Sequence, residues 1–236
     1  MDVSKKALFA TENMQRVYKA GKDKEWSDFW DVFQQNGERT NYERAFHDNP
    51  FTDVNFKPKY DIIAKGSLSY AFWGAQVTDL AKTLSDLGVV LDTSGATSFS
   101  YTFYGCASST LPVIDTRNAN EINNLCISMP NLVTIEELIL RDDGSQTFGN
   151  QNFSGCSNLE NLKVTGKIGN TFQYYNGSGK LTVESMVSII DALVDYSKDT
   201  SGTTRLLELN AMNLNRLQAN RPEYIAIATE KGWTLK

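Results

Sequence analysis

The feature that most constrains this chain is a regular spacing of short apolar runs. The runs are centred on Val90, Ile114, Ile139 and Lys163, at steps of 24, 25 and 24 residues. In the segment 153–164, apolar residues three apart give way to apolar residues two apart. A period of three indicates a tight turn or a short helix, and a period of two indicates a strand. The spacing therefore predicts one strand and one return segment in every couple of dozen residues.

Units of this kind bury an apolar edge by stacking on their neighbours. We therefore expect an α/β fold, a leucine-rich-repeat solenoid of short parallel strands with turn or helical returns, over residues 67–180. A helical segment and an extended connector are expected over 1–66, and a last helix-strand unit with a C-terminal helical cap over 181–236. The predicted cap contains Tyr224, Ile225, Ile227, Ala228 and Trp233.

The N-terminal region carries an amphipathic helix pattern. Apolar residues at i, i+3, i+4 and i+7 share one face of a helix, and this set consists of Trp26, Phe29, Trp30 and Phe33. Gly37 supplies a stop signal after them. We expect this set to form an assembly helix. Upstream, Leu8, Met14 and Val17 form a sparser apolar stripe that cannot bury itself alone and is expected to pack on a partner or on a second copy of the chain.

Composition excludes several classes of function. The net charge of −5 lies almost entirely in residues 67–150, which balance at −6, and this argues against nucleic acid as a partner. No apolar run approaches the roughly 18 to 20 residues of a membrane helix, so no membrane span is predicted. The start of the chain shows no signal peptide. The acidic stretch would suit a basic partner.

The residues that most often perform catalysis or bind metals are scarce. Cys106, Cys126 and Cys156 lie 20 and 30 residues apart, without the close pairs of a zinc site, and are expected to pack in the core. His47 is the only histidine and is expected in an exposed loop. The segment 177–180 lacks the residues that a phosphate-binding loop needs. No catalytic residue, metal site or cofactor is predicted.

Aromatic residues at variable positions are the best candidates for binding a partner. Trp73 and Tyr104 each follow the phenylalanine of a repeated Phe-x-Gly unit, and Tyr174 and Tyr175 lie after the last regular unit. Exposed aromatic rings offer large contact area to a sugar or a protein at a small entropic cost. The alternative is that these rings pack neighbouring turns.

The chain also resembles a known family. The pattern Phe-x-x-Cys-x-x-Leu-x-x-Leu-x-Val over residues 153–164 is similar to the BspA-type leucine-rich repeat. Segments 29–42, 56–62, 142–148 and 226–235 resemble runs in prophage-encoded repeat proteins of Gram-positive gut bacteria. The resemblance implies a solenoid sited with phage tail or host-contact genes, with no established enzyme activity. Relatives often carry more sequence upstream.

Together these observations predict a non-enzymatic binding or structural module, a phage-derived tail or host-contact component that recognises a protein or a cell-surface glycan. The alternatives are a bacterial surface adhesin-like protein, a purely architectural virion protein and, as a minor one, a glycan hydrolase. The predicted location is the virion, with the bacterial surface or the cytoplasm as alternatives. A homo-oligomer could form through the N-terminal helix.

Overall fold

The computed structural model describes residues 30–31, 33–47, 51–53, 56–149, 151–174 and 177–236. A 3-10 helix at Gln35–Gly37 comes first. Within the described residues the α-helices are α1 (Leu80–Leu87), α2 (Val183–Asp191), α3 (Ala211–Asn220) and α4 (Pro222–Glu230). The strands are β1 (Ile62–Ile63), β2 (Leu91–Asp92), β3 (Thr110–Leu111), β4 (Ile114–Asp115), β5 (Glu121–Ile122), β6 (Thr134–Ile139), β7 (Thr147–Phe148), β8 (Asn161–Thr165), β9 (Phe172–Gln173), β10 (Arg205–Glu208) and β11 (Trp233–Leu235).

The strands pair in parallel and form four small sheets. One sheet consists of β1 and β2, a second of β5 and β7, and a third of β9, β10 and β11 in the order β11-β10-β9. In the fourth sheet β6 pairs with β3, β4 and β8. The register places Ile114 opposite Leu138, and Leu138 opposite Val164. Parallel strands of two residues cannot form a sheet that is stable by itself, so each depends on the core beneath it.

The prediction of a leucine-rich-repeat solenoid is wrong. The part of the chain that the structure describes holds separate sheets of two to four strands and four helices, with no solenoid. Of the predicted strand centres, Ile114, Ile139 and Lys163 lie in β4, β6 and β8, and Val90 directly precedes β2. The short apolar runs therefore predict strand positions well, whereas the inference that these strands stack as one continuous sheet is wrong.

A side chain separates β2 from β4. Thr93 follows β2, and its hydroxyl Oγ1 donates to the carbonyl oxygen of Asp115 in β4 at 3.0 Å. The same Oγ1 accepts from the backbone N–H of Asp115 at 2.7 Å. A side chain thus satisfies the backbone groups that a neighbouring strand would have paired. This places β2 and β4 in different sheets.

A second interruption lies at the outer edge of β8, where helix α2 packs in place of a further strand. Ser185 Oγ accepts from the N–H of Leu162 at 2.9 Å, and Ser188 Oγ accepts from the N–H of Val164 at 3.1 Å. Both hydroxyls also donate to carbonyl oxygens of the same segment, those of Glu160 and Leu162. The edge of β8 is therefore covered by serine hydroxyls, which ends the sheet.

The C-terminal residues form a helix followed by an edge strand. Pro222 begins α4, and β11 pairs in parallel with β10. Ala228 and Trp233 are buried, and the indole N–H of Trp233 donates to the carbonyl oxygen of Val194 at 2.9 Å. Tyr224, Ile225 and Ile227 are half-buried against the same core. Nothing in the structure tests the predicted boundaries between the three regions, which stay predictions.

Candidate functional site

Five four-residue turns stack on one another in the order 44–47, 70–73, 101–104, 124–127 and 151–154. Their backbones form a ladder in which each third residue donates to the second residue of the next turn. Phe46 donates to Ala71 and Phe72 to Thr102, both at 2.7 Å. The ladder continues from Phe103 to Leu125 at 2.9 Å and from Cys126 to Asn152 at 2.8 Å. Equivalent positions of the five turns therefore lie side by side.

The two central residues of every turn are buried. The third position forms a column of core side chains, in which Phe46 and Phe72 lie 4.7 Å apart and Phe72 and Phe103 lie 5.2 Å apart between ring centroids. The members of this column are Phe46, Phe72, Phe103, Cys126 and Phe153. Because the central residues point inward, the first and fourth residues of the turns make two adjacent rows, which are half-buried or exposed except at Ile127.

Five aromatic side chains occupy the outward rows of the first three turns. We call them the aromatic face: His47, Tyr70, Trp73, Tyr101 and Tyr104, all half-buried. Tyr70 and Tyr101 are nearly parallel, with an interplanar angle of 10° and centroids 5.3 Å apart. Trp73 lies 4.3 Å from Tyr104 and 5.2 Å from His47. The rings thus support one another.

The first position of four of these turns has a left-handed backbone. The φ angles are 51° at Arg44, 60° at Tyr70, 55° at Tyr101 and 55° at Asn124. This region suits asparagine and glycine, whereas a bulky side chain held there costs of order 1 to 3 kcal/mol. The chain nevertheless places tyrosine at this position twice. Such strain is typical of residues that are retained for function.

Arg44 adds a positive charge to one end of the aromatic face. Its guanidinium carbon lies 5.0 Å from the centroid of the Tyr70 ring, a cation–π contact. Arg44 is exposed, and no carboxylate among the described residues forms an ion pair with it. At the other end, Asn124 is half-buried and Gln151 is exposed. The row of first residues therefore runs from a guanidinium, across two phenol rings, to two amides.

The predicted binding residues divide between this site and the core. Trp73 and Tyr104 lie together on the aromatic face. Tyr174 is instead fully buried, with its ring 5.4 Å from Phe153, and burial raises the pKa of its phenol. Tyr175 lies outside the described residues. Tyr174 therefore belongs to the core rather than to a surface.

The predicted assembly helix is only partly described. Trp26 and Phe29 lie outside the described residues, whereas Trp30, Asp31 and Phe33 have a helical backbone. Trp30 and Phe33 are each 1% exposed and pack 5.7 Å apart within a cluster of phenylalanines. The other rings of this cluster are Phe46, Phe51 and Phe56. These two side chains are therefore used inside the chain, and an assembly contact stays a prediction.

Sequence reasoning missed the other members of the aromatic face. His47 was expected in an exposed loop, but it packs half-buried against Trp73 and Tyr70, with Tyr70 at 6.1 Å. Tyr70 and Tyr101 precede the repeated phenylalanine by two residues. The signal that could have found them is the three-residue spacing of Tyr70 with Trp73 and of Tyr101 with Tyr104, because each turn closes from its first residue to its fourth.

The three cysteines are buried, and burial makes their thiols less reactive. Burial raises the pKa of Cys106 to about 11 and that of Cys156 to about 12, and it raises the pKa of Cys126 well above its usual value. Since the thiolate is the nucleophilic form, these thiols are poor nucleophiles at neutral pH. Cys156 Sγ donates instead to the carbonyl oxygen of Cys126 at 2.5 Å.

Some of the carboxylates of residues 67–150 form local ion pairs. Asp115 pairs with Arg117 at 2.6 Å, Asp143 with Arg141 at 2.8 Å, and Glu137 with Lys163 at 3.1 Å. The Arg141 guanidinium, with the amide and hydroxyl of Ser145, holds the pKa of Asp143 well below its usual value. Among the residues that the structure describes, no cluster of three histidine, cysteine or acidic side chains could hold a metal ion.

In comparisons with protein-family models, curated proteins and solved structures, nothing matches this chain. The resemblance to the BspA-type repeat therefore stays a prediction. In the described part of the chain, helices are too short or too polar to cross a membrane.

Proposed function

We propose that this protein is a non-enzymatic binding module that recognises a cell-surface glycan through its aromatic face. The observation that carries the proposal is the packing of five half-buried aromatic rings on the outward rows of three aligned turns. In keeping with the sequence resemblance, we place this module in a phage tail or host-contact component.

The chemistry of the aromatic face suits a carbohydrate. Aromatic rings contribute apolar contact with few rotatable bonds, so little side-chain entropy is lost when a ligand binds. Within the described residues, the phenol oxygens of Tyr70, Tyr101 and Tyr104 and the indole N–H of Trp73 have no hydrogen-bond partner. A sugar presents hydroxyls that can donate to the phenols or accept from the indole.

The arrangement is also built to stay in place without a ligand. The ring contacts of 4.3 to 5.9 Å between Trp73, Tyr101 and Tyr104 restrict each other's rotation, and the turns beneath are tied together by backbone hydrogen bonds. Pre-organised surfaces lose less free energy on binding than flexible ones. This supports a recognition role in which the surface is ready before contact.

The test is a glycan array together with binding to Gram-positive cells, using the full chain. The double variant Trp73→Ala/Tyr104→Ala should weaken binding about tenfold or more, because central aromatic contacts dominate binding free energy. Tyr224→Ala is the matched control, since Tyr224 is also half-buried but lies on α4. It should bind as the parent protein does. Absence of glycan and cell binding by the parent protein would refute the proposal and favour an architectural role.

A further inference from the structure

The polar groups around the aromatic face include two that can only donate hydrogen bonds. The guanidinium of Arg44 and the indole N–H of Trp73 can only donate, and the three phenols can donate or accept. Arg44 lies against Tyr70, at the edge of the face, and is exposed to solvent. A neutral sugar would offer hydroxyls to the phenols and to the guanidinium but no negative charge to pair with Arg44. A ligand with anionic oxygen atoms would satisfy both parts of the surface.

We infer that the ligand is an acidic oligosaccharide and that Arg44 binds its carboxylate, sulfate or phosphate group. This inference rests on the proposed function, and it names the chemical class of the glycan. The sugar rings would lie on the aromatic face, with the anionic group at the Arg44 end. A planar guanidinium presents two parallel N–H groups to such an anion, which gives orientation as well as affinity.

The charge distribution supports an anionic ligand despite the net charge of the chain. The five aligned turns contain no aspartate or glutamate, and their only basic side chain apart from His47 is Arg44. The acids of residues 67–150 lie instead on α1 or at its N-cap, in β2, β4, β5 and β6, and in the loop after β6. Glu43 is the nearest acid along the chain; it is exposed and forms no ion pair with Arg44.

The polar end of the face gives the ligand a direction. Beyond the third turn the outward residues of the first row are Asn124 and Gln151, whose side-chain amides have no hydrogen-bond partner in the described part of the chain. Amides donate to and accept from sugar hydroxyls equally well. An oligosaccharide would therefore place its anionic group at Arg44 and neutral hydroxyl-rich units toward Asn124.

The experiment uses an array in which each acidic oligosaccharide, whether uronate, sialylated, sulfated or phosphorylated, is paired with its neutral parent. The full chain is compared with Arg44→Gln and with Lys167→Gln, a control that removes one positive charge from the loop after β8. The parent protein should prefer the acidic member of at least one pair. Arg44→Gln should lower affinity for that member about tenfold while leaving affinity for the neutral parent unchanged. Lys167→Gln should change neither.

The outcomes separate this inference from the proposed function. Equal binding to acidic and neutral members, lost in Trp73→Ala/Tyr104→Ala but not in Arg44→Gln, would overturn the inference and leave the proposed function standing. An unchanged acidic preference in Arg44→Gln would overturn the role of Arg44. Absence of binding to every member would overturn both. Circular dichroism of Arg44→Gln, unchanged from the parent spectrum, would establish that a loss of binding does not arise from unfolding.

Discussion

The left-handed backbone of the aromatic face predicts that glycine and alanine substitutions at Tyr101 have the reverse of their usual order of stability. At most positions alanine is more stable than glycine, because glycine loses more conformational entropy on folding. Tyr101 has a φ of 55°, in the left-handed region that glycine adopts without strain. We therefore expect Tyr101→Gly to be more stable than Tyr101→Ala.

The size of the stability difference follows from two contributions to the free energy of unfolding that differ between the glycine and alanine variants. Both lose the same three ring contacts, those with Tyr70 at 5.3 Å, Trp73 at 5.7 Å and Tyr104 at 5.9 Å, so these cancel in the comparison. A left-handed backbone costs a residue with a Cβ atom about 1 to 2 kcal/mol. The greater entropy loss of glycine returns about 0.5 to 1 kcal/mol. The difference in free energy of unfolding should lie between about 0 and 1.5 kcal/mol in favour of glycine, with a midpoint of about 0.75 kcal/mol.

Urea denaturation followed by tryptophan fluorescence measures the two free energies. The control pair is Gln218→Gly and Gln218→Ala, because Gln218 is exposed on the helix α3, where alanine should be the more stable by about 1 kcal/mol. If Tyr101→Ala equals or exceeds Tyr101→Gly in stability, the left-handed turn is not the conformation in solution, and the stacked turns lose their support. Both variants should bind glycan more weakly than the parent protein, because both lack the phenol ring.

Three further predictions concern the core beneath this surface. Phe72→Ala should lower the free energy of unfolding by about 3 to 5 kcal/mol in urea denaturation, because the ring is 1% exposed and stacks between two phenylalanines; a loss below about 1 kcal/mol would contradict the stack. Thr93→Val should cost about 1 to 3 kcal/mol in the same assay, since the backbone N–H of Asp115 would lose its acceptor, whereas Thr93→Ser, which keeps the hydroxyl, should cost less. Because the thiols of Cys106, Cys126 and Cys156 are buried, the folded protein at pH 8 should not react with a thiol reagent until denaturant is added. Rapid labelling without denaturant would show that burial does not protect these thiols.

How much of the fold the sequence predicts depends on the range of the interactions involved. Strand positions are a local property, and the runs around Ile114, Ile139 and Lys163 do lie in strands. Sheet continuity is a tertiary property. It is broken by the Thr93 hydroxyl, which reaches a residue 22 positions away, and by Ser185, whose hydroxyl accepts from Leu162. A threonine or serine in a sequence does not reveal which backbone group its side chain will satisfy.

The candidate site likewise combines residues that local sequence patterns predict with residues whose place depends on tertiary contacts. Trp73 and Tyr104 could be predicted because they follow a repeated phenylalanine whose own side chain points inward. Tyr174 could not be separated from them, because an aromatic residue suits a core as well as a surface, and its burial results from contacts with distant segments such as Phe153. Arg44 gave no signal of its own, since its role depends on the turn at Tyr70 that stacks beside it.

The separation of charge from the aromatic face explains how an acidic chain can bind an acidic ligand. With a net charge of −5 the whole molecule repels anions weakly at long range, but salt screens that repulsion beyond about 10 Å at 0.1 M ionic strength. The five turns carry Arg44 and no carboxylate, and the neighbouring Glu43 forms no ion pair with Arg44. Raising the salt concentration should therefore weaken the exposed Arg44 contact while leaving the ring contacts intact. Acidic and neutral glycans should converge in affinity at high salt, and the affinity that remains measures the contribution of the aromatic rings.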